Sequence, residues 1–108
     1  MEIDKKCQQW ATKVKNYEVN EMSKGQLSPL DVGLFNDIFY FLSREITSKD
    51  ASEKKDEWNK KASDFNTRIQ RYKLQEQVEN QYSPMEANFL MYLQQFLTEE
   101  LKIGLEKH

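Results

Sequence analysis

The chain is poor in the residues on which metal sites and catalytic centres most often depend. Its 108 residues include one cysteine, Cys7, and one histidine, His108. A single cysteine excludes an internal disulfide, and a single histidine leaves a transition-metal site without its usual ligands. The chain also lacks a Gly-rich phosphate loop, a Gly-x-Ser-x-Gly motif and a histidine-containing triad. We therefore expect no catalytic residue, no cofactor and no metal ion, and a protein that is not an enzyme.

Long apolar runs and a large net charge are missing as well. No stretch approaches the roughly 20 apolar residues that span a bilayer, and the start Met-Glu-Ile-Asp-Lys-Lys lacks an apolar signal segment. Charged residues make up 31% of the chain while the net charge is -2, so both signs are interspersed. We expect neither a membrane span nor a nucleic-acid partner, and we expect a location in the cytoplasm or export without a cleavable signal peptide.

What the chain does contain is a second copy of its own pattern. Residues 3–47, shifted by 55 positions, align with residues 58–102 without a gap, and 11 of 45 positions are identical. Two repeats of 55 residues are each near the lower size limit for independent folding. We therefore expect them to share one core in a single domain, residues 1–108, with residues 47–53 as the polar linker between them.

The first segment of each repeat carries apolar residues three and four positions apart, which is the spacing of one stripe on an α-helix. The stripes are Ile3, Cys7, Trp10, Val14 and Tyr17 in the first repeat, and Trp58, Ala62, Phe65, Ile69 and Tyr72 in the second. The second segments carry a broader apolar face, formed by Leu30, Leu34, Phe35, Ile38, Phe41, Leu42 and Ile46, and by Met85, Phe89, Leu90, Leu93, Phe96, Leu97 and Leu101. These patterns predict two long amphipathic helices and two central core helices.

Signals that end one helix and start the next also occur twice. Gly25 and Asn80 tolerate the left-handed conformation that closes a helix. After each of them, a serine N-cap precedes a proline at the first helical position, and an acid completes a capping box. These start signals are Ser28, Pro29 and Asp31 in the first repeat, and Ser83, Pro84 and Glu86 in the second.

The signals together predict an all-α fold of two tandem helical hairpins. Asp50 and Glu53 are spaced to open the third helix, and Gly104 is placed to close the fourth. An antiparallel four-helix bundle with internal pseudo-two-fold symmetry is the simplest way to bury both apolar faces. The alternative is that the hairpins open and exchange between two chains in a dimer.

Individual reactive side chains have structural explanations. Cys7 lies on the apolar stripe and aligns with Ala62, which favours a buried, unreactive thiol over a nucleophile. Asp31 and Glu86 are explained by capping, without an acid-base role.

The repeats differ most on their second helices. Residues 39–40 are aromatic where the second repeat has Gln94-Gln95, and residues 91–92 are Met-Tyr where the first has Asn36-Asp37. Exposed apolar patches commonly mark partner surfaces, for which Tyr and Phe are well suited. The candidates for partner binding are Phe39, Tyr40, Met91 and Tyr92. The alternative is that these side chains pack under the long helices in an asymmetric core.

Several short sequence features follow one another in the second repeat: a Trp-bearing helix, a Leu-Gln pair, a Tyr-Ser pair, and an amphipathic helix with an aromatic and spaced leucines. They are formed by Trp58, Phe65, Leu74-Gln75, Tyr82-Ser83, Phe89, Leu93, Leu97 and Leu101. Across residues 58–102 this order resembles the C-terminal helical region of type III secretion needle-tip proteins. Two features depart from that family, because Pro84 follows Tyr-Ser and the chain has no room for the central globular part. The resemblance implies a small helical component, secreted substrate or chaperone of a secretion apparatus.

The duplicated hairpin, the missing catalytic chemistry and the diverged aromatic pairs predict a non-enzymatic helical protein. We expect it to bind another protein, or itself as a homodimer. The resemblance narrows this expectation to a component or chaperone of a bacterial secretion system. The alternative function is a small intracellular inhibitor or regulator of the immunity or anti-activator type.

Overall fold

A computed structural model describes residues 2–25, 27–78 and 83–107, and these residues are almost entirely helical. The α-helices are α1 (Glu2–Ser23), α2 (Pro29–Tyr40), α3 (Ala51–Val78), α4 (Pro84–Gln95) and α5 (Leu101–Glu106). Two π-helical segments, Phe41–Glu45 and Phe96–Glu100, continue α2 and α4, and a 3-10 turn, Ser48–Asp50, precedes α3. No strand occurs in these three ranges. The predicted all-α class is confirmed for this part of the chain.

The element bounds recur at the spacing of the sequence repeat. α2 and α4 each have 12 residues and begin 55 positions apart, at Pro29 and Pro84. Each is followed directly by a five-residue π segment, at Phe41–Glu45 and Phe96–Glu100. π-helical turns are rare and short in proteins. Their occurrence at aligned positions means that both halves change helical pitch at the same point.

The chain divides between Glu53 and Lys54 into two compact units, which we call unit 1 and unit 2. Unit 1 buries apolar side chains of α1 and of the α2 region, and the ring of Tyr17 meets that of Phe35 edge-on, with 5.1 Å between centroids. Its buried apolar residues are Ile3, Cys7, Ala11, Val14, Tyr17, Leu34, Phe35, Ile38, Phe41, Leu42, Ile46 and Ala51. In unit 2 they are Trp58, Ala62, Ile69, Tyr72, Leu90, Leu93, Phe96, Leu97, Leu101 and Leu105.

Two aromatic residues of the predicted stripes are only half-buried. They are Trp10 and Phe65, which align with each other in the repeat. Each is covered by a cation three residues later: Lys13 Nζ lies 4.6 Å from the Trp10 ring centroid, and Arg68 Cζ lies 5.7 Å from that of Phe65. A cation over an aromatic face is attracted by the ring quadrupole. In each helix the basic residue therefore covers a face of the half-buried aromatic ring.

The prediction that Leu30 and Met85 belong to the core is wrong. Their side chains are 84% and 82% exposed. Each lies one residue after the proline that begins its helix, and the buried residues of α2 begin one turn later, at Leu34. The prediction that Gly104 ends the last helix is also wrong, because α5 continues to Glu106.

The helix starts use the predicted caps. Ser28 Oγ accepts a hydrogen bond from the Asp31 backbone N–H at 3.3 Å and donates to Asp31 Oδ2 at 2.9 Å. Ser83 Oγ accepts from the Glu86 backbone N–H at 3.2 Å, and a proline follows each serine. Each serine thereby satisfies one of the backbone N–H groups left unpaired at a helix start.

The remaining sequence predictions concern the two helix ends and the linker between the repeats. Gly25 has φ of 70°, the left-handed conformation that the sequence predicts. The other residue predicted to close a helix, Asn80, lies outside the described residues. Within residues 47–53, Thr47 Oγ1 donates to Asp50 Oδ2 at 3.2 Å across the 3-10 turn. α3 then begins at the buried Ala51, so helical structure extends through most of the predicted linker.

None of the helices in the described part of the chain combines the length and the hydropathy that crossing a bilayer requires.

We predict that Gly33→Ala stabilises the protein. Gly33 lies inside α2, and a Cβ added there meets no atom within 4 Å. Alanine restricts the unfolded chain more than glycine does, so the free energy of unfolding should rise by about 0.5–1 kcal/mol. Urea unfolding followed by circular dichroism measures the change. In the control Gly25→Ala the residue has φ of 70°, so stability should fall by roughly 1–2 kcal/mol; equal effects of the two substitutions would contradict the assignment.

We predict that Cys7 is unreactive until the protein unfolds. Burial raises the pKa of the Cys7 thiol to about 12, and the negative charge of Asp4 adds to the rise. Since the thiolate is the nucleophile, raising the pH from roughly 7 to 9 should leave native labelling slow. Absorbance of the thionitrobenzoate released from Ellman's reagent should show complete labelling in guanidinium. Stoichiometric labelling within seconds in native buffer would refute the prediction.

Candidate protein-binding surface

The four residues predicted to bind a partner differ in exposure. Tyr40 and Tyr92 are 51% and 52% exposed, and Met91 is 40% exposed. Phe39 is half-buried. Three of the four therefore present apolar surface to solvent, and Phe39 is the most buried of them.

Tyr40 belongs to an exposed face of unit 1. Positions spaced three and four apart share one side of a helix. On this basis we define the α2 face as Leu30, Gly33, Asp37, Tyr40 and Arg44. All of these are exposed except Gly33, which is half-buried.

Two neighbouring side chains hold the Tyr40 ring. Arg44 Cζ lies 5.1 Å from its centroid, and the Phe39 ring packs against it edge-on with 5.7 Å between centroids. Both arrangements are attractive for an aromatic ring. Ordering the ring before a partner arrives reduces the entropy lost on binding.

Tyr92 lies on the corresponding face of unit 2. We define the α4 face as Met85, Asn88, Tyr92, Gln95 and Glu99, which are the positions aligned with the α2 face, and all five are exposed. Each face has an exposed apolar residue in its first turn and one tyrosine farther along. The tyrosine lies one turn earlier on the α4 face, and Glu99 stands where the α2 face has Arg44. The two faces are alike in layout and opposite in charge at that position.

Beside the α2 face, α1 and α2 are joined by a polar cluster. The Glu18 carboxylate is buried, and Lys15 Nζ lies 3.6 Å from its Oε2. When the Asn36 amide is oriented with Nδ2 toward Glu18, it donates to both carboxylate oxygens at 3.0 Å. The opposite orientation instead accepts from Lys15 Nζ at 3.3 Å. We prefer the first orientation, because a buried carboxylate needs donors more than a partly exposed ammonium needs an acceptor.

Lys15 also connects this cluster to an aromatic candidate. Its Nζ lies 5.6 Å from the centroid of the Phe39 ring. Phe39 thus takes part in packing between α1 and α2, in addition to supporting Tyr40.

Unit 2 has a different polar cluster at the aligned positions. Lys73 Nζ donates to Gln94 Oε1 at 2.9 Å, and Gln94 Nε2 donates to Gln70 Oε1 at 3.1 Å. The positions of Lys15, Glu18, Asn36 and Phe39 are occupied by Gln70, Lys73, Met91 and Gln94. All four positions differ between the repeats, so the divergence at Phe39 and Met91 is explained in part by the different helix-to-helix clusters in the two units. Neither Tyr40 nor Tyr92 takes part in the hydrogen bonds of these two clusters.

Sequence reasoning missed other exposed apolar side chains that occur in both repeats. Val19 and Leu74 align with each other and both are exposed, as are Leu30 and Met85. The available signal was the repetition itself, because these positions are apolar in both copies. Their exposure could not be inferred from sequence, since an apolar position retained in both copies is also what a core position looks like.

The described residues contain no group of three His, Cys, Asp or Glu side chains placed to hold a metal ion. His108 lies outside the described residues.

Comparison with known proteins does not supply a family for this chain. No family model, curated protein or solved structure matches it.

Proposed function

We propose that this chain binds another protein through the tyrosine-bearing α2 and α4 faces. The observation that carries the proposal is the exposure of Tyr40 and Tyr92 at positions where the other repeat has a polar residue, Gln95 and Asp37 respectively. Tyrosine contributes a large apolar area together with a polar hydroxyl group, and it is enriched among the residues that dominate binding energy.

The conformation of Tyr40 supports this role. Its ring is already held between Arg44 and Phe39 while about half of the side chain remains exposed. A ring that served only to fill the core would be buried, as Tyr17 and Tyr72 are. We therefore assign Phe39 as a supporting residue, and Tyr40 and Tyr92 as the residues that contact the partner.

The partner is a second protein or a second copy of this chain. Arg44 on one face and Glu99 on the other allow two copies to bring opposite charges together. We propose that the protein acts by binding and not by catalysis, in keeping with a sequence that lacks nucleophile-base motifs.

The narrower proposal of a secretion-system component or chaperone rests on the resemblance of residues 58–102 to needle-tip proteins. The helical structure of this segment is compatible with it, since α3 extends to Val78 and α4 begins at Pro84. Capture of export-apparatus proteins by this chain would support the proposal, and capture of a toxin or transcription activator would support an inhibitor.

We also propose that each repeat is an antiparallel hairpin and that the two hairpins form one four-helix bundle. Contacts within unit 1 support the hairpin. Gln8 donates to the Ser43 carbonyl, and Lys15, farther along α1, contacts Asn36, which precedes Ser43 in the chain. Contacts in this reversed order are those of two segments that run in opposite directions. Length supports the bundle, because a repeat of 55 residues is near the lower size limit for independent folding.

We predict that a fragment of residues 1–53 is largely unfolded by itself. Its apolar face would lack the surface that covers it in the bundle, so circular dichroism should show little helix, and mixing with residues 54–108 should restore the helix signal. Cooperative thermal unfolding of the isolated fragment would show that the hairpins do not need a shared core.

We predict that Tyr40→Gln and Tyr92→Asp each weaken partner binding at least tenfold. Each substitution installs the residue of the other repeat, and removing a dominant tyrosine is expected to cost about 1.4 kcal/mol or more. The partner is captured from the native host, identified by mass spectrometry, purified, and titrated by calorimetry. Size-exclusion chromatography with light scattering tests for self-association in the same variants.

The control is Leu74→Gln, which removes a similarly exposed apolar side chain from α3, a different helix from those that carry the two faces. It should leave affinity unchanged. A partner that binds both tyrosine variants as tightly as the native chain, together with a native chain that is strictly monomeric, would refute the proposed surface.

A further inference from the structure

Unit 2 contains a groove that borders the second π segment. Its cavity volume is about 230 Å³, and it is lined by Asn59 and Ser63 of α3 together with Leu97, Thr98 and Lys102. Pockets for drug-sized ligands or cofactors start at roughly 300 Å³. The groove is therefore suited to a group the size of one side chain.

The same place in unit 1 is bridged by a side chain of the protein itself. The residues aligned with Ser63 and Thr98 are Gln8 and Ser43. Gln8 Nε2 donates to the Ser43 backbone carbonyl at 2.8 Å, which joins α1 to the first π segment. The distance is short for an amide donor, and the bond is exposed to solvent. Unit 1 thus contains a primary carboxamide where unit 2 has the groove.

Ser63 is too short to make the corresponding bridge in unit 2, because it lacks the γ-methylene and the carboxamide of glutamine. The Thr98 hydroxyl does not replace it, since Thr98 Oγ1 donates to the Gln94 carbonyl at 2.8 Å on its own helix. Asn59 Oδ1 is buried and has no hydrogen-bond partner among the described residues. This oxygen is not exposed to the groove, so a donor in the groove is expected to use the Thr98 backbone carbonyl, which aligns with the Ser43 carbonyl that accepts from Gln8 in unit 1.

We propose that this groove is a subsite for a primary carboxamide, supplied as the side chain of a glutamine or asparagine on the partner protein. The carboxamide N–H₂ donates to the Thr98 backbone carbonyl, as Gln8 Nε2 donates to that of Ser43 in unit 1. Its oxygen accepts from the Lys102 ammonium or the Ser63 hydroxyl. The groove thereby takes from a partner the same chemical group that Gln8 supplies internally in unit 1. This inference rests on the proposed function only in assigning the carboxamide to a protein.

The groove is tested without the partner by titrating N-acetylglutamine N-methylamide into the full-length protein and recording NMR spectra. Saturable shifts with millimolar affinity are expected at the Asn59 side-chain amide and at the Thr98 backbone amide. The matched probes N-acetylglutamate N-methylamide, which has a carboxylate, and N-acetylleucine N-methylamide, which is apolar, should bind at least fivefold more weakly. No saturable shift, or equal or tighter binding of either matched probe, would overturn the proposal.

A substitution tests the comparison with unit 1. Ser63→Gln should place an internal carboxamide in the groove, abolish the probe-induced shifts and raise the Tm by roughly 3–6 °C. Gln8→Ser should lower the Tm by a similar amount because it removes the bridge in unit 1. Persistence of the shifts in folded Ser63→Gln protein would overturn the proposal.

The outcomes are distinct from those of the tyrosine variants. Tyr40→Gln and Tyr92→Asp leave the groove residues unchanged, so probe binding should persist in them even if the tyrosine faces bind no partner. Loss of partner affinity in the tyrosine variants but not in Ser63→Gln would retain the proposed function and reject the partner's carboxamide.

Discussion

The structure depends on how a mostly polar helix buries a narrow apolar stripe. α1 is dominated by Lys, Glu, Gln and Asn, so its stability must come from packing one side against the α2 region. Val14 and Tyr17 reach that side from α1, and Phe35 reaches it from α2. A stripe so narrow tolerates little rotation of the helix, because turning α1 by one residue would replace apolar side chains with charged ones.

The orientation of α1 that buries the apolar stripe also determines which of its polar residues face α2. Once the stripe is placed, Lys15 and Glu18 of α1 face Asn36 of α2, and the burial of Glu18 requires donors nearby. In unit 2 the aligned positions on α3 are Gln70 and Lys73, and the side chain of Gln94 forms a hydrogen bond with each of them. A change at one position of such a cluster leaves a polar group unsatisfied unless its partners change too. Coupled divergence is therefore the expected result of keeping the same packing in both repeats.

The sequence determines some features of this fold better than others. Ser28, Pro29 and Gly25 locate a helix start and a helix end closely, because their backbone preferences are local and strong. The π segments have no comparable signal, since Phe41-Leu42-Ser43 would suit an ordinary α-helix equally well. Their position depends on the packing of the whole unit, which brings both Phe41 and Leu42 into the core.

The candidate surface was predictable to a similar, partial extent. Comparing the repeats identified Tyr40 and Tyr92 as unmatched aromatics, and both are exposed. The same comparison could not separate them from Phe39, because the contact of Phe39 with Lys15 of α1 is formed only by the folded unit. It also placed Leu30 in the core, since apolar character does not tell whether another element covers the first turn of a helix.

A duplicated fold can acquire a binding site by losing a contact as well as by gaining an exposed residue. In unit 1 the Gln8 carboxamide reaches across to the π segment, and the space between the helices is used internally. With Ser63 at that position in unit 2, the backbone framework is retained but the bridging group is gone, which leaves an open groove lined by Asn59, Ser63 and Thr98. Unit 2 retains its own apolar core, so the absence of this one hydrogen bond need not prevent it from folding. The hydrogen bond that Gln8 makes within unit 1 thus indicates which chemical group, a carboxamide, unit 2 is proposed to bind at the aligned position.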